Sequence, residues 1–472
     1  MTLELNDMQG LLIRGFGNLL GAQYVLLRFT DAALGKEYIG ELLPLITPAT
    51  EKPTDHAIQI AFTFSGFSYL KLPDEGLASF SREFREGMAE DHRQFILGDS
   101  GENAPDNWVW GNPAQEEIHL LLIIYSKNAE TLAEKLLFEK ARADQYGVVE
   151  LHTLPTGLLQ DHKEHFGFRD DISRPIIEEL VENVAKKVGV TFPAGEFIMG
   201  YKNLYDEFAP APYLSPTHDQ MNILPSSPDF ADKKDFGRNG TYLVFRQMEQ
   251  DVFGFWDYLK SQGKDSEESI CLASKMVGRW PDGSPLTLTP EKADPSLSTA
   301  NAFGFWKEDK AGLKCPIGAH IRRTNPRDHL VTERTQKDSS EMAAKHRMLR
   351  KGRPYGTPVS EPLEPKGIME LPKDNERRGL HFLCLVTDIR RQFEFVQNNW
   401  VNFHKFGGQE HDADPIIGNH YKSDKVVTDE FSIPEYPVKR KLKNIPNFTL
   451  IKGGSYFFFP GIRALTYLAS HE

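Results

Sequence analysis

The sequence predicts an α+β protein built as two halves. Three observations predict it. The chain of 472 residues is too long for one ordinary hydrophobic core. Its apolar runs alternate between short, strand-like stretches and longer stretches of helical period. Residues 202–240 lose all periodicity and gather Pro, Asp, Asn, Ser and Gly, the composition of a connection between units.

Tyr24–Thr30 (YVLLRFT) is a β-rich run, 31–46 has helical spacing, and Ile58–Phe64 returns to strand. Ile118–Tyr125 is the strongest strand signal of the first half. KNAETLAEKLLFEKARA (127–143) sets apolar residues at helical spacing on a charged background. Past the connection, TYLVFRQMEQDVFGFWDYL (241–259) reads as strand into helix, and RRGLHFLCLVTDIRRQFEFVQNNW (377–400) repeats that pattern. A run from 341 looks helical and is closed by Gly352 and Pro354, so that the cations of HRMLRKGRPYG (346–356) would offset the helix dipole. Residues 402–447 are polar and irregular, and GGSYFFFPGI (453–462) is a late strand. No low-complexity tract or short repeat is present, but two α+β halves suit a diverged structural duplication.

Composition narrows the function. Hydrophobic residues make up 40% and charged residues 26%, an ordinary globular balance. A net charge of −12 argues against sequence-independent nucleic-acid binding, which needs a basic footprint. Cys271, Cys315 and Cys384 are odd in number and widely spaced, so neither a disulfide framework nor a zinc cluster is expected and a reducing compartment fits. The start shows no basic region followed by a clean apolar one. LLLII (120–124) and YFFFPGI (456–462) are far short of the roughly 20 residues that span a bilayer. The expectation is a soluble, cytoplasmic protein.

Three segments can carry chemistry. In HFGFRDDIS (165–173), Asp170 sits among Phe166, Phe168 and Ile172. A carboxylate partly desolvated by aromatic rings suits acid–base work, and the same residues suit a solvated turn capped by an aspartate. In KCPIGAHIRRTNPRD (314–328), His320 lies among small and apolar residues and Arg322, Arg323 and Arg327 follow. That pattern suits an axial metal ligand with arginines gripping an anionic cofactor rim such as heme propionates, and equally a core histidine beside a basic loop. Cys315 with His320 lacks two further ligands. The third segment is HRMLRKGRPYG, where a functional role needs one guanidinium, Arg350, to enter a pocket. GRWPDG (278–283) is a turn signal, and DHKEH (161–165) has histidines three apart rather than four, a polar loop rather than a helical metal motif.

Taken together and in this order, these segments resemble the longer-chain dye-decolorizing peroxidases. MQGLLIRGFG, HFGFRDDIS, AGEFIMGY, GRNGTYLVFRQMEQDVFGFW, MVGRWPDGSPL, CPIGAHIRRTNPRD, LRKGRPYG, RQFEFVQNNW and KGGSYFFFPGI all look like blocks of that family, across nearly the whole chain. The resemblance implies two ferredoxin-like modules with antiparallel sheets, of the dimeric α+β barrel-like type, with one heme b held in the C-terminal half. The expected division is 1–205, carrying the distal aspartate loop, and 206–472, binding heme. The family signature Gly-x-x-Asp-Gly falls on Gly167, Phe168, Arg169, Asp170 and Asp171, with aspartate in place of the last glycine; aspartate is among the few residues that tolerate positive φ. The resemblance assigns catalysis to Asp170 and Arg350, iron ligation to His320, and cofactor contacts to Arg322, Arg323, Gly167 and Phe168. Asp388, Asp412 and Asp414 are the candidate partners of His320. The implied reactants are hydrogen peroxide and small aromatic donors such as dyes and phenolics, without nucleic acid or membrane, as monomer or homo-oligomer. The alternative on the same fold is a heme-binding or heme-processing protein with little peroxidase turnover.

Overall fold

The computed structural model describes residues 2–181, 190–330 and 335–470. Its first half runs β1 (Gly21–Phe29), α1 (Ala32–Leu42), β2 (His56–Phe62), β3 (Leu120–Ser126), α2 (Ala129–Gln145) and β4 (Val148–Thr156). The strands stand in the order β2-β3-β1-β4 and every pair is antiparallel. This is the ferredoxin-like βαββαβ arrangement. The second half repeats it with β5 (Thr241–Gln250), α3 (Val252–Gln262), α4 (Ser266–Val277), α5 (His320–Thr324), α6 (Gln336–Ala344), the short pieces β6 (Leu349–Arg350) and β7 (Arg353–Tyr355), β8 (Gly379–Val386), two π-helical segments (Arg390–Glu394 and Val396–Asn402), β9 (Thr449–Phe459) and α7 (Ile462–Ser470). Its order is β6-β8-β5-β9, with β7 also on β8.

The halves are joined edge to edge. β9 meets β2 at Phe458 and Phe62, giving one nine-stranded sheet. At the other extremity the Gly157 amide donates to the Pro354 carbonyl (3.0 Å), so the outer strands approach and the sheet curls toward a barrel. Strand alternation explains why near-continuous apolar runs are tolerated here. Leu120, Leu122 and Ile124 enter one core, and Leu121, Ile123 and Tyr125 enter the other. Both faces of the sheet are therefore covered.

Caps agree with the helix boundaries. Asp31 accepts from the Ala33 and Leu34 amides, Asn128 from Thr131, and Asp265 from Glu268. Residues 202–240 form the irregular connection, broken by two-residue strands at Tyr213–Leu214 and Lys234–Asp235 and a short 3-10 turn at Pro216–His218. One expectation is corrected. The run from 341 is not a helix reaching Gly352: α6 stops at Ala344, and 349–355 is edge strand. Pairing with β8 outweighs local helix propensity there, because a hydrogen-bonded partner and a covered face are offered by the sheet and not by the local sequence. The strand β4, the helix α4 and the C-terminal helix α7 carry weaker sequence signals and are supplied by the structure.

Candidate functional site

A cleft of about 260 Å³, partly open to solvent, lies between the outer face of the second half's sheet and its helices. Four segments bring side chains to it. The first is the loop 164–173. A Lys163–Arg169 bridge closes it, with the Gly167 amide donating to the Glu164 carbonyl (2.9 Å). Gly167 has φ +92°, which lets the chain reverse. The aromatic face of α3 holds the loop: Phe166 packs on Phe255 and Phe168 lies parallel to Trp256, whose Nε1 donates to the Phe166 carbonyl (3.1 Å). Asp170 then projects to the cavity wall.

The second segment is β6. Successive residues of a strand face opposite ways, so Leu349 enters the inner core and Arg350, paired with Cys384, faces the cavity. Arg350 NH1 donates to Asp170 Oδ1 at 3.0 Å. Both side chains remain more than a third exposed, so the pair is a solvent-screened contact at the rim of the cleft.

The third segment is the start of α5. His320 is at its first residue, with Nδ1 donating to Asp414 Oδ2 at 3.0 Å. Asp414 is itself buried and receives the Ile416 and Ile417 amides (2.9 and 3.1 Å). Burial disfavours the imidazolium, but the Asp414 carboxylate outweighs it and raises the His320 pKa. Reciprocally, burial works against the Asp414 charge and is overcome by His320, Arg323 and the backbone amides, which leave its pKa lowered. His320 Nε2 carries no hydrogen bond among the described residues, and the ring lines the cavity.

The fourth group is a wall of arginines. Arg279, Arg327 and Arg347 all line the cavity. Burial pushes them down to about 10, about 9 and about 10, and mutual repulsion adds to it. Arg347 Nε is buried without a hydrogen-bond partner among the described residues. Arg279 donates to the Gly283 and Ala300 carbonyls and Arg327 to the Asn301 and Phe303 carbonyls, so the three desolvated cations are held in the wall with few counter-charges, an arrangement that suits an anion.

No family model matches the sequence. The dye-decolorizing peroxidase msp1 of Mycetinis scorodonius is 27% identical over 493 residues, covering 98% of this chain and 87% of that protein. A solved ancestral D-type dye-decolorizing peroxidase has 26% identity, a TM-score of 0.74 and 99% coverage of both chains. A dye-decolorizing peroxidase in complex with 2,6-dimethoxyphenol has a TM-score of 0.78 at 23% identity, covering 99% of this chain and all of that one (100%).

The chain is a homologue of the dye-decolorizing peroxidases.

Against the expectations drawn from that family, the structure brings Asp170, Arg350, His320 and Phe168 to one cavity. Gly167 serves the loop rather than the wall. A Cβ there would meet Ile368 and the Leu363 carbonyl at 3.4 Å. Asp414 is the partner of His320; Asp388 instead receives the Arg391 amide, and Asp412 the Ser432 amide. Asp171 occupies the left-handed region with φ +66° and pairs with Arg174, so its carboxylate does not compete for Arg350.

Arg322 and Arg323 need correction. Arg322 is committed to Asp309, the Cys315 carbonyl (2.8 Å) and His329, with its guanidinium over the Phe305 ring. Arg323 donates to the Trp400 carbonyl (2.6 Å), to Gly318 and to Asp412. Both are buried away from the cleft, where they fasten the His320 helix to its surroundings. The cavity wall takes Arg327 from the same motif, with Arg279 and Arg347. Within the helix, His320, Ile321 and Thr324 face the cavity and Arg322 and Arg323 face the core, a rotation that the motif alone does not fix; Arg327 lies in the loop beyond it.

Glu164 is the residue that sequence reading missed. It lines the cavity, half-buried, in a stretch read as a polar loop. Among the described residues no group of three His, Cys, Asp or Glu could hold an ion. A metal at His320 must therefore arrive with its other ligands, as iron in a porphyrin does. The residues fit such a group: one free imidazole nitrogen, apolar walls including Phe168, Leu380, Phe382 and Ile417, and an arginine rim for carboxylates.

Proposed function

We propose that the chain is a heme peroxidase that uses hydrogen peroxide to oxidise small aromatic donors such as dyes and phenolics. The observation that carries the reading is the meeting of His320–Asp414 and Asp170–Arg350 around one cavity. Heme b bound there would supply a redox-active iron with one coordination position left for peroxide.

Each side chain then has a defined task. His320 offers Nε2 to the iron, and Asp414 fixes its tautomer and increases its basicity by accepting the Nδ1 proton. Arg279, Arg327 and Arg347 are placed to receive the propionates. Asp170, as carboxylate, takes a proton from one peroxide oxygen and returns it to the other, so that water rather than hydroxide departs. Arg350 stays protonated, cannot be a base, and stabilises the negative charge that develops as the bond breaks. The complex of a related peroxidase with 2,6-dimethoxyphenol supports a phenolic donor.

The same reading divides the chain at 205/206, one βαββαβ unit to each side. It also places the protein in the cytoplasm. No helix among the described residues is long and apolar enough to cross a membrane, and the three cysteines are unpaired.

The test is a visible spectrum of heme-loaded protein before and after one equivalent of peroxide. The wild type should show a heme Soret band that shifts on mixing. His320→Ala should lose or alter the band at rest, and Asp170→Asn should keep it at rest and shift slowly. An unchanged resting spectrum in His320→Ala would remove it as ligand.

A further inference from the structure

Three carboxyl side chains line the cavity among the described residues: Asp99, Glu164 and Asp170. Asp99 faces Arg246, and Asp170 faces Arg350. Glu164 is surrounded by hydrogen-bond donors instead. The Phe166 amide donates to its Oε2 (2.9 Å), the Phe168 amide to its Oε1 (2.9 Å), and Gln250 Nε2 to its Oε2 (2.7 Å). Its own backbone closes the same turn, because the Glu164 amide donates to the Phe168 carbonyl (2.9 Å). Asp170 lies two residues beyond the last of these contacts. A half-buried carboxyl that takes three hydrogen bonds with no ion pair beside it is held by donors alone, at a desolvation cost that an apolar side chain would avoid.

Gln250 supplies a second observation. It sits at the end of β5, on a separate element from the loop, and its Oε1 is buried without a hydrogen-bond partner among the described residues. A side-chain amide can donate to a carboxylate through nitrogen or, rotated by half a turn, accept from a carboxylic acid through oxygen. The contact therefore survives either protonation state of Glu164. The charged neighbours in sequence are occupied elsewhere: Lys163 by Glu364, His165 by the Tyr355 carbonyl.

We infer that Glu164 and Gln250 form a latch that positions Asp170: Glu164 gathers the loop around its carboxyl group, and Gln250 ties that group to the sheet. Glu164 is a positioning residue, acting through Asp170 rather than on peroxide. Burial raises its pKa to about 7, which leaves both protonation states populated near neutrality and makes an ambivalent partner useful. The inference rests on the role given to Asp170 above, and the test separates the two.

Full-length, heme-loaded wild type, Glu164→Gln, Gln250→Leu and Asp170→Asn are compared by two measurements: deuterium exchange at the Phe166 and Phe168 amides, and the rate of reaction with hydrogen peroxide at matched heme content. In Glu164→Gln an amide group faces three donors with one acceptor, so exchange should accelerate at least about tenfold. Its peroxide rate should fall about 10- to 100-fold, the usual consequence of a small misplacement. Gln250→Leu should move both readouts in the same direction by a smaller factor. Asp170→Asn should slow peroxide and leave exchange alone. The latch is overturned if both Glu164→Gln and Gln250→Leu stay within about twofold of wild type on both measurements. It is equally overturned if exchange accelerates while the peroxide rate holds, which is the mark of a merely structural contact. Should Glu164→Gln fail to fold, Gln250→Leu decides by the same criteria. A wild-type peroxide rate in Asp170→Asn would defeat the proposed catalytic role, and accelerated exchange in Glu164→Gln would then stand apart from it.

Discussion

Asp170 and Arg350 are 3.0 Å apart, yet the proposed mechanism gives them different work and their removal should be distinguishable. Asp170→Asn deletes proton transfer and should slow the reaction with peroxide by about 10²–10⁴-fold. Arg350→Leu deletes a charge stabiliser and should cost about 10²–10³-fold. Stopped-flow absorbance at the heme band measures both, and a wild-type rate in either variant would remove that residue from the mechanism. Glu164 has a thermodynamic signature of its own. Its pKa in the folded chain is about 7 against an ordinary 4.5. The folded state therefore holds that proton more tightly than the unfolded chain does. The resulting stabilisation is complete below about 4.5 and is lost as pH rises through about 7. The gap corresponds to about 3 kcal/mol. Denaturant titrations between those limits should show wild type losing stability relative to Glu164→Gln as pH rises; a constant difference would contradict the assignment.

The loop after Gly167 shows how an element absorbs a departure from the Gly-x-x-Asp-Gly pattern. The chain needs positive φ at 171, and aspartate supplies it with φ +66° while pairing with Arg174. Glycine there would relieve about 1 kcal/mol of left-handed strain. It would also forfeit a largely exposed ion pair worth about 0.2–1 kcal/mol. These nearly cancel, so Asp171→Gly should unfold within about 1 kcal/mol of wild type and react with peroxide at a rate within a few-fold of it. A large loss of rate would show that Asp171 acts on Asp170 beyond shaping the turn. The His320 helix is the opposite case, five residues long and too short to be stable alone. Arg322 and Arg323 bind it to the carbonyls of residues 315, 318 and 400. These arginines were expected at a cofactor and are found holding the His320 helix in place.

At the scale of the molecule, two ferredoxin-like units share one sheet and the cores on its two faces. Phe458 on β9 touches the rings of Phe67, Phe80 and Phe84 from the first half and of Phe236 and Tyr242 from the second. Phe458→Ala should therefore cost about 3–5 kcal/mol. Because the cluster spans both units, calorimetry should show one shifted transition; two resolved transitions would mean that the halves unfold independently.

Local pattern was enough for the strands and helices whose apolar spacing is self-consistent, such as β3 and α2, and for a glycine–aspartate turn and a lone histidine among small residues. Those features depend on neighbours a few positions away. What lies between 341 and 355, which arginines of a motif face a cavity, which of three aspartates meets His320, and why Glu164 lines the cavity depend on partners tens to hundreds of residues distant. Strand pairing with β8 decided the first, the rotation of a five-residue helix the second, and the approach of the 414 and 250 segments the rest. Sequence by itself determined the two-unit α+β plan and the presence of the reactive side chains. Tertiary structure alone decided which of them share a cavity, because burial and hydrogen-bond partnership are properties of distant segments brought together.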